Sequence, residues 1–294
     1  MSGVPQGSIL GPLLFIIFFN DLPSCLKYSE IIKYADDTVL FVSDTDFTVI
    51  ESKLSSDMSA IDKWCQDNDL ILNLNKGKTE AMMFGTTKSL SKYPPMTIKY
   101  RHNNIEVTKT YKYLGVKIDS TLNLNTQFES SYKRACGRLH LLTRIRPLIN
   151  SEAAKCIYQM MIVPVMTYCG ITSLKRTQYQ EQRLASLHAR ALKIVSKNDL
   201  NLRSIKNVIN IRTCTVVRKC LDGDTCEDMT NYFCVLNKSS MTRNGRFILL
   251  LPKLSLEYAR SSFVFMGSSI YNALPLEIRK EEDFKNILYL ILTY

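Results

Sequence analysis

Two adjacent aspartates, Asp36 and Asp37, stand between two short β-prone runs, residues 31–34 and 38–42. This pattern predicts a hairpin with both acids at its tip. Neighbouring carboxylates repel each other and gain from a counter-cation. Their hard oxygens suit Mg²⁺ or Mn²⁺. A pair of such ions can activate a hydroxyl nucleophile and stabilise a departing pyrophosphate in phosphoryl transfer. An ordinary solvated turn uses the same residue types, so the pair by itself leaves both readings open.

A second candidate is the loop Gly3-Val4-Pro5-Gln6-Gly7-Ser8, which feeds a helix N-terminus. Glycine there allows close backbone approach, and free N–H groups suit a phosphate or a base edge. Gly77-Lys78-Thr79 looks like the end of a P-loop, but Leu72 occupies the place of the glycine that motif requires, which argues against a P-loop nucleotidase. Cys214, Cys220, Cys226 and Cys234 lack the close pairing typical of zinc, and no histidine lies near them. His102, His140 and His188 are scattered, with no nucleophile pattern around them.

The elements that must position these residues follow from periodicity. Pro5, Gly7, Gly11 and Pro12 mark a starting loop, and residues 13–22 read as a buried helix closed by Pro23. Thr48 to Glu51 fits a capping box. Ile50, Leu54, Met58, Ile61 and Cys65 then recur at helical spacing to about Asp67. Residues 80–84, 96–100, 105–107 and 111–118 read as strands, with residues 102–104 as a turn. The first 120 residues are therefore mixed α+β with mainly antiparallel pairing. Beyond Ile118 the pattern turns helical. Phe128, Tyr132, Ala135, Leu139 and Leu142 mark one helix. Asn150 or Ser151 caps a second, which Pro164 should kink or end. A third runs from about Gln178 to Val195. On it Arg183, Arg190, Lys193 and Lys197 share an arc of about 80° beside the apolar stripe of Leu184, Leu187, Ala191 and Ile194. Residues from about 200 onward are less periodic and read as irregular.

The chain has 294 residues, 46% of them apolar, which suffices for a packed core and excludes general disorder. Its net charge of +11 is uneven. Residues 121–219 hold 17 Lys/Arg against 4 Asp/Glu, whereas residues 1–120 hold 13 against 14. A basic segment beside a neutral one suits a polyanion partner, or a solvated face kept for solubility. No apolar run approaches the ~18 residues of a membrane span, and no secretory leader is evident. Nine cysteines at unplanned spacings fit a reducing compartment better than a disulfide framework.

Taken in order, Ser2 to Pro12 (SGVPQGSILGP), Asn20-Asp21-Leu22, Tyr34-Ala35-Asp36-Asp37, residues 74–80 (LNKGKTE) and Tyr113-Leu114-Gly115-Val116 form a succession. It closely resembles the reverse transcriptase of non-LTR retrotransposons of the jockey-like kind. The resemblance covers about residues 2–200. A weaker one covers the tail at Arg260-Ser261-Ser262-Phe263 and Asn272-Ala273-Leu274-Pro275.

The resemblance implies a partial polymerase palm over residues 1–120, an antiparallel sheet with helices. An all-helical basic thumb over 121–200 and an irregular tail over 201–294 would follow. It implies that Pro5, Gln6 and Gly7 contact template and incoming nucleotide. Tyr34 to Asp37 would form the catalytic hairpin, with Asp36 and Asp37 holding Mg²⁺ or Mn²⁺. Lys78 would stabilise charge near the leaving pyrophosphate, and Tyr113, Leu114 and Gly115 would hold the primer end. Arg183, Arg190, Lys193 and Lys197 would meet duplex phosphates. The implied partners are an RNA template, a DNA primer and dNTPs, without a membrane, inside the cell in nucleus or cytoplasm.

In that family a third carboxylate lies upstream of the Gly-Val-Pro-Gln-Gly block, and Asp44, Asp46 and Asp119 do not match its pattern. The expectation is that residues 1–294 alone are not a competent polymerase and that the 31–42 hairpin has an uncovered edge, which favours aggregation. The alternatives are a non-catalytic nucleic-acid-binding remnant that uses only the basic helices, and an unfolded product.

Overall fold

In a computed structural model of the chain, residues 4–5, 7–195, 202–235, 248–253, 259–281, 283–284 and 287–288 are described. Two compact units emerge, residues 1–124 and 125–294.

The first unit is α+β. Its first helix, α1 (Gly11–Phe18), has Pro in its first turn, where the missing N–H costs nothing. The expectation of a buried helix is corrected. Leu13, Leu14, Ile16, Ile17 and Phe18 are exposed, because a helix that is apolar on every side can turn only one side to the core. That side is fixed by Phe15 stacked on Phe19 and by Phe19 edge-on to Trp64. Pro23 does not close α1; it lies inside a separate 3₁₀ turn, Leu22–Cys25.

Strands β1 (Glu30–Tyr34) and β2 (Asp37–Phe41) form an antiparallel hairpin. Helix α2 (Phe47–Asp67) follows. Its cap is Asp46 rather than Thr48. The Asp46 carboxylate accepts from the Thr48 N–H at 2.9 Å, while Glu51 accepts from the distant Thr97 N–H at 2.6 Å instead of closing a capping box. The buried face of α2 carries Met58, Ile61, Trp64 and Cys65 and packs with Leu22, Met96, Ile98, Tyr100 and Ile105.

The remaining strands are shorter than their apolar runs suggested. They are β3 (Glu80–Ala81), β4 (Lys99–Tyr100), β5 (Asn103–Asn104), β6 (Glu106–Val107), β7 (Thr110–Tyr113) and β8 (Val116–Asp119), with a one-turn helix α3 (Thr87–Leu90) after β3. Among the described residues they make separate two-stranded pairs rather than one antiparallel sheet, and β3 with β6 is parallel. The 80–84 strand stops early because the chain leaves the ladder: the Gly85 N–H donates to the Ser120 carbonyl at 3.0 Å.

The second unit is helical. Helix α4 (Asn125–Ile145) contributes Phe128, Ala135, Leu139 and Leu142 to the core. Helix α5 (Ser151–Ile157) is capped by Asn150, whose side chain accepts from the Ala153 N–H at 2.8 Å. A π-helical turn, Tyr158–Ile162, leads into α6 (Val163–Thr167). Pro164 explains the turn, since it has no N–H for the carbonyl four residues back. Residues 151–172 are long and apolar enough to cross a membrane by length and composition alone. Within it Ala154, Tyr158, Ile162, Val163, Val165 and Met166 are core residues, while Met160, Met161 and Tyr168 are exposed.

Helix α7 spans Gln178–Val195, as its spacing predicted. The reading of an irregular tail is corrected by α8 (Ile205–Asp222), α9 (Glu227–Thr230), α10 (Phe263–Asn272) and α11 (Leu276–Lys280). Ile211, Cys214, Val217, Cys220 and Tyr271 are buried in their core. Threonines and cysteines interleaved among the apolar residues of α8 hide its stripe in the sequence. Asn272, from the tail motif, grips the main chain of Leu249 at both ends: its amide accepts from the N–H and donates to the carbonyl, each at 2.9 Å.

Candidate active site

The 31–42 hairpin forms as its residues dictate. Tyr34 and Asp37 face each other across a two-residue turn, Ala35-Asp36. Ala35 has φ 53°, in the left-handed region that favours glycine. Asp36 and Asp37 are both exposed at this tip.

The root of the hairpin is held by a residue that the sequence reading missed. Asp57 on α2 is 1% exposed, and its carboxylate accepts three backbone N–H groups, from Lys27 (3.0 Å), Tyr28 (3.0 Å) and Ser29 (2.6 Å). Burial works to raise its carboxyl, but these hydrogen bonds outweigh it and leave the group below the usual carboxylate range. Two helical turns along the same face, the Trp64 indole N–H donates to Asp21 at 3.2 Å. Lys33 of β1 reaches back to the Phe19 carbonyl at 2.8 Å. The available signal was an acid on the apolar side of α2, between Leu54 and Met58.

Lys78 lies on an exposed loop that its own backbone folds. The Lys78 N–H donates to the Asn75 carbonyl (2.9 Å), Thr79 Oγ1 to the Asn73 carbonyl (2.8 Å), and the Gly77 N–H to the Glu80 carboxylate (2.7 Å). From β7, Tyr111 Oη donates to the Lys78 carbonyl at 2.9 Å. Burial raises the phenol of Tyr111, and the carboxylates of Asp37 and Glu80 raise it further. The Tyr113 phenol is raised by burial and by Asp37. Tyr111 thus ties the Lys78 loop to β7, and the Asp37 carboxylate acts electrostatically on both tyrosines of that strand. Leu114 (φ 45°) and Gly115 (φ 84°) make the tight turn from β7 to β8.

The acids that fell outside the motifs have structural duties. Asp44 pairs with Lys53 at 2.6 Å, and Asp46 caps α2. Asp119 accepts from the N–H groups of Thr121 (3.1 Å), Asn123 (3.2 Å) and Leu124 (2.9 Å). Among the described residues no three His, Cys, Asp or Glu side chains cluster as a metal cage. Asp36 and Asp37 nonetheless have the donor chemistry for Mg²⁺, which commonly takes one or two carboxylates and completes its shell with water and substrate phosphates. Their exposure leaves room for those further ligands.

Pro5 and Gly7 are exposed, and Gly7 has φ 85°. Gln6 lies outside the described residues, as does Lys197. In the second unit, described on its own, α7 presents Arg190 and Lys193 to solvent. Arg183, half-buried, has partners within this unit. It forms a short ion pair with Glu129, and its guanidinium lies 3.9 Å from the ring centre of Tyr132 and 5.2 Å from that of Tyr179. Arg146, another residue unmarked in the sequence, closes the end of α7: Nε donates to the Ile194 carbonyl at 2.8 Å and Nη2 to that of Val195 at 3.3 Å.

Comparison with known proteins bears directly on this region. Residues 1–118 match the reverse transcriptase (RNA-dependent DNA polymerase) family. The matched segment contains the aspartate hairpin, the Lys78 loop and the β7–β8 hairpin. The chain is 27% identical over 242 residues to a probable RNA-directed DNA polymerase from transposon BS of Drosophila melanogaster, covering 72% of this chain and 25% of that one. It is 28% identical over 209 residues to the RNA-directed DNA polymerase from mobile element jockey of Drosophila funebris, covering 66% and 22%. The jockey polymerase of Drosophila melanogaster is 26% identical over 179 residues, covering 57% and 19%. The chain therefore spans about a quarter or less of the length of these curated relatives. No solved structure matches it significantly. The resemblance to jockey-like non-LTR reverse transcriptases thus extends past the reverse transcriptase segment into the helical unit.

Proposed function

We propose that this chain carries the carboxylate hairpin and thumb of a retrotransposon RNA-directed DNA polymerase, which adds dNTPs to a primer 3′-hydroxyl on an RNA template. The observation that carries the reading is that the exposed aspartate hairpin, and the Lys78 loop tied to β7 by Tyr111, both lie in the segment that matches the reverse transcriptase family. Asp36 and Asp37 would hold Mg²⁺ or Mn²⁺. Bound there, the ion supplies charge neutralisation for the primer oxygen and the triphosphate. The chain's own residues do the rest. The hairpin presents both carboxylates at a two-residue turn, Asp57 and Lys33 fix its root and its first strand, and Lys78 offers a cation to the departing pyrophosphate. Tyr113, Leu114 and Gly115 would seat the primer end, and Pro5, Gln6 and Gly7 the template and incoming nucleotide. Arg190 and Lys193 on α7, together with Lys197, would contact duplex phosphates.

The test is primer extension on an RNA template. Residues 1–294 are assayed alone and fused behind the part of the Drosophila funebris relative that precedes its matched region. We expect incorporation by the fusion, lost in Asp36→Ala, and none by residues 1–294 alone. A fusion that binds RNA–DNA duplex yet never incorporates dNTP overturns the polymerase reading. That result would favour the second reading, a non-catalytic nucleic-acid-binding protein, for which the exposed Arg190 and Lys193 are the specific observation.

A further inference from the structure

Tyr111 belongs to none of the motif blocks, yet it is the side chain that joins two of them. It stands on β7 opposite Ile118, half-buried, two residues before Tyr113. Its hydroxyl donates to the main-chain carbonyl of Lys78 at 2.9 Å, across 33 residues of sequence. Within the loop, Asn73, Asn75 and Glu80 accept hydrogen bonds from Asn75, Thr79, Lys78 and Gly77. From other elements the loop also receives the long ion pair of Lys76 with Glu106 on β6 (3.8 Å), but the Tyr111 phenol is the one that bonds the main chain of Lys78 itself. Its electrostatic neighbours are Asp37 at the hairpin tip and Glu80 at the end of the loop.

We propose that Tyr111 is a positioning residue that fixes the Lys78 loop to β7, so that the Lys78 amine and the Asp37 carboxylate address the same nucleoside triphosphate. The proposal rests on the polymerase reading for its ligand, while its geometry stands apart from that reading. Leu74 anchors one end of the loop on the core and β3 follows its other end, whereas Lys78 between them is exposed, so its charge is spread over the volume that the loop samples. A hydrogen bond from a strand to the main chain of Lys78 narrows that volume at the residue that carries the amine. Tyr111 itself touches neither the substrate nor the reacting atoms; it acts through Lys78.

Two measurements on the full chain test the idea with Tyr111→Phe, which deletes the hydroxyl and keeps the ring. The first is amide hydrogen exchange over residues 74–80, expected to quicken by about ten-fold in the variant while α2 is unchanged. The second is the affinity for dTTP with Mg²⁺, by calorimetry, in the parent, Tyr111→Phe, Lys78→Ala and the double variant. We expect Tyr111→Phe to weaken binding about five-fold, and to add nothing once Lys78 is gone. A merely structural tyrosine would give additive losses or a lowered melting temperature with unchanged affinity, and either overturns the proposal. Unchanged exchange over residues 74–80 overturns it as well, whatever the affinities. A parent chain that binds no dTTP overturns instead the polymerase reading and the ligand assigned here, and the exchange result then decides the Tyr111–Lys78 tether by itself.

Discussion

The Asp57 carboxylate accepts the Ser29 N–H at 2.6 Å, and so joins the middle of α2 to the residue immediately before the aspartate hairpin. With Lys27 and Tyr28 the same carboxylate satisfies three successive N–H groups. Removing it leaves three partly buried donors without a partner, at about 1–3 kcal/mol for each one that water cannot reach. Asp57→Ala should therefore lower the unfolding free energy by roughly 3 kcal/mol in urea titration at pH 7.

Acid titration gives a second check on the same residue. Its folded carboxyl lies below the usual range. Its contribution is therefore fully present above the unfolded value, near about pH 4, and is lost as pH falls through the folded value. Asp57→Asn should remove that part of the acid limb, so the stability of the variant falls less steeply below about pH 4 than that of the parent. Melting temperatures measured from pH 7 to 2 read the difference.

Ala35 holds a left-handed backbone, φ 53°, at the first position of the hairpin turn. Glycine takes that conformation without the Cβ penalty, offset in part by its greater freedom when unfolded. Ala35→Gly should raise stability by about 0.5–1 kcal/mol, measured by thermal melting. A loss of stability would show that the methyl group packs in a way that outweighs the strain.

Gly170 lies against α8. A Cβ there would stand 3.0 and 3.2 Å from Ile209 side-chain atoms. Gly170→Ala should cost about 1–2 kcal/mol, and Ile209→Val in the same background should recover part of it. Denaturant midpoints of the two single variants and the double variant give the answer.

The cations of α7 should separate into two classes. Arg190→Ala and Lys193→Ala should each reduce the slope of log affinity against log salt for RNA–DNA duplex by about one, with stability unchanged. Arg183→Ala should do the reverse, since its guanidinium is spent on Glu129 and the Tyr132 ring: about 1 kcal/mol of stability lost and little change in salt slope.

Some of this was legible in residue order alone. The 30–41 hairpin and helices α2, α4 and α7 were readable, because turn chemistry and apolar periodicity are local properties of a dozen residues or fewer. The ordered motif blocks also pointed to the reverse transcriptase family without any contact being known. Other features were settled only when distant parts met. Whether α1 is buried, where β3 ends, and which acid caps α2 depended on partners such as Trp64, Ser120 and Thr97. Asp57 with Ser29, Tyr111 with Lys78, Arg146 with Ile194 and Arg183 with Glu129 are separated by 28, 33, 48 and 54 residues. A hydrogen bond across such a span leaves no period in the sequence. The side chain makes it only after the hydrophobic faces have packed and brought donor and acceptor within about 3 Å of each other.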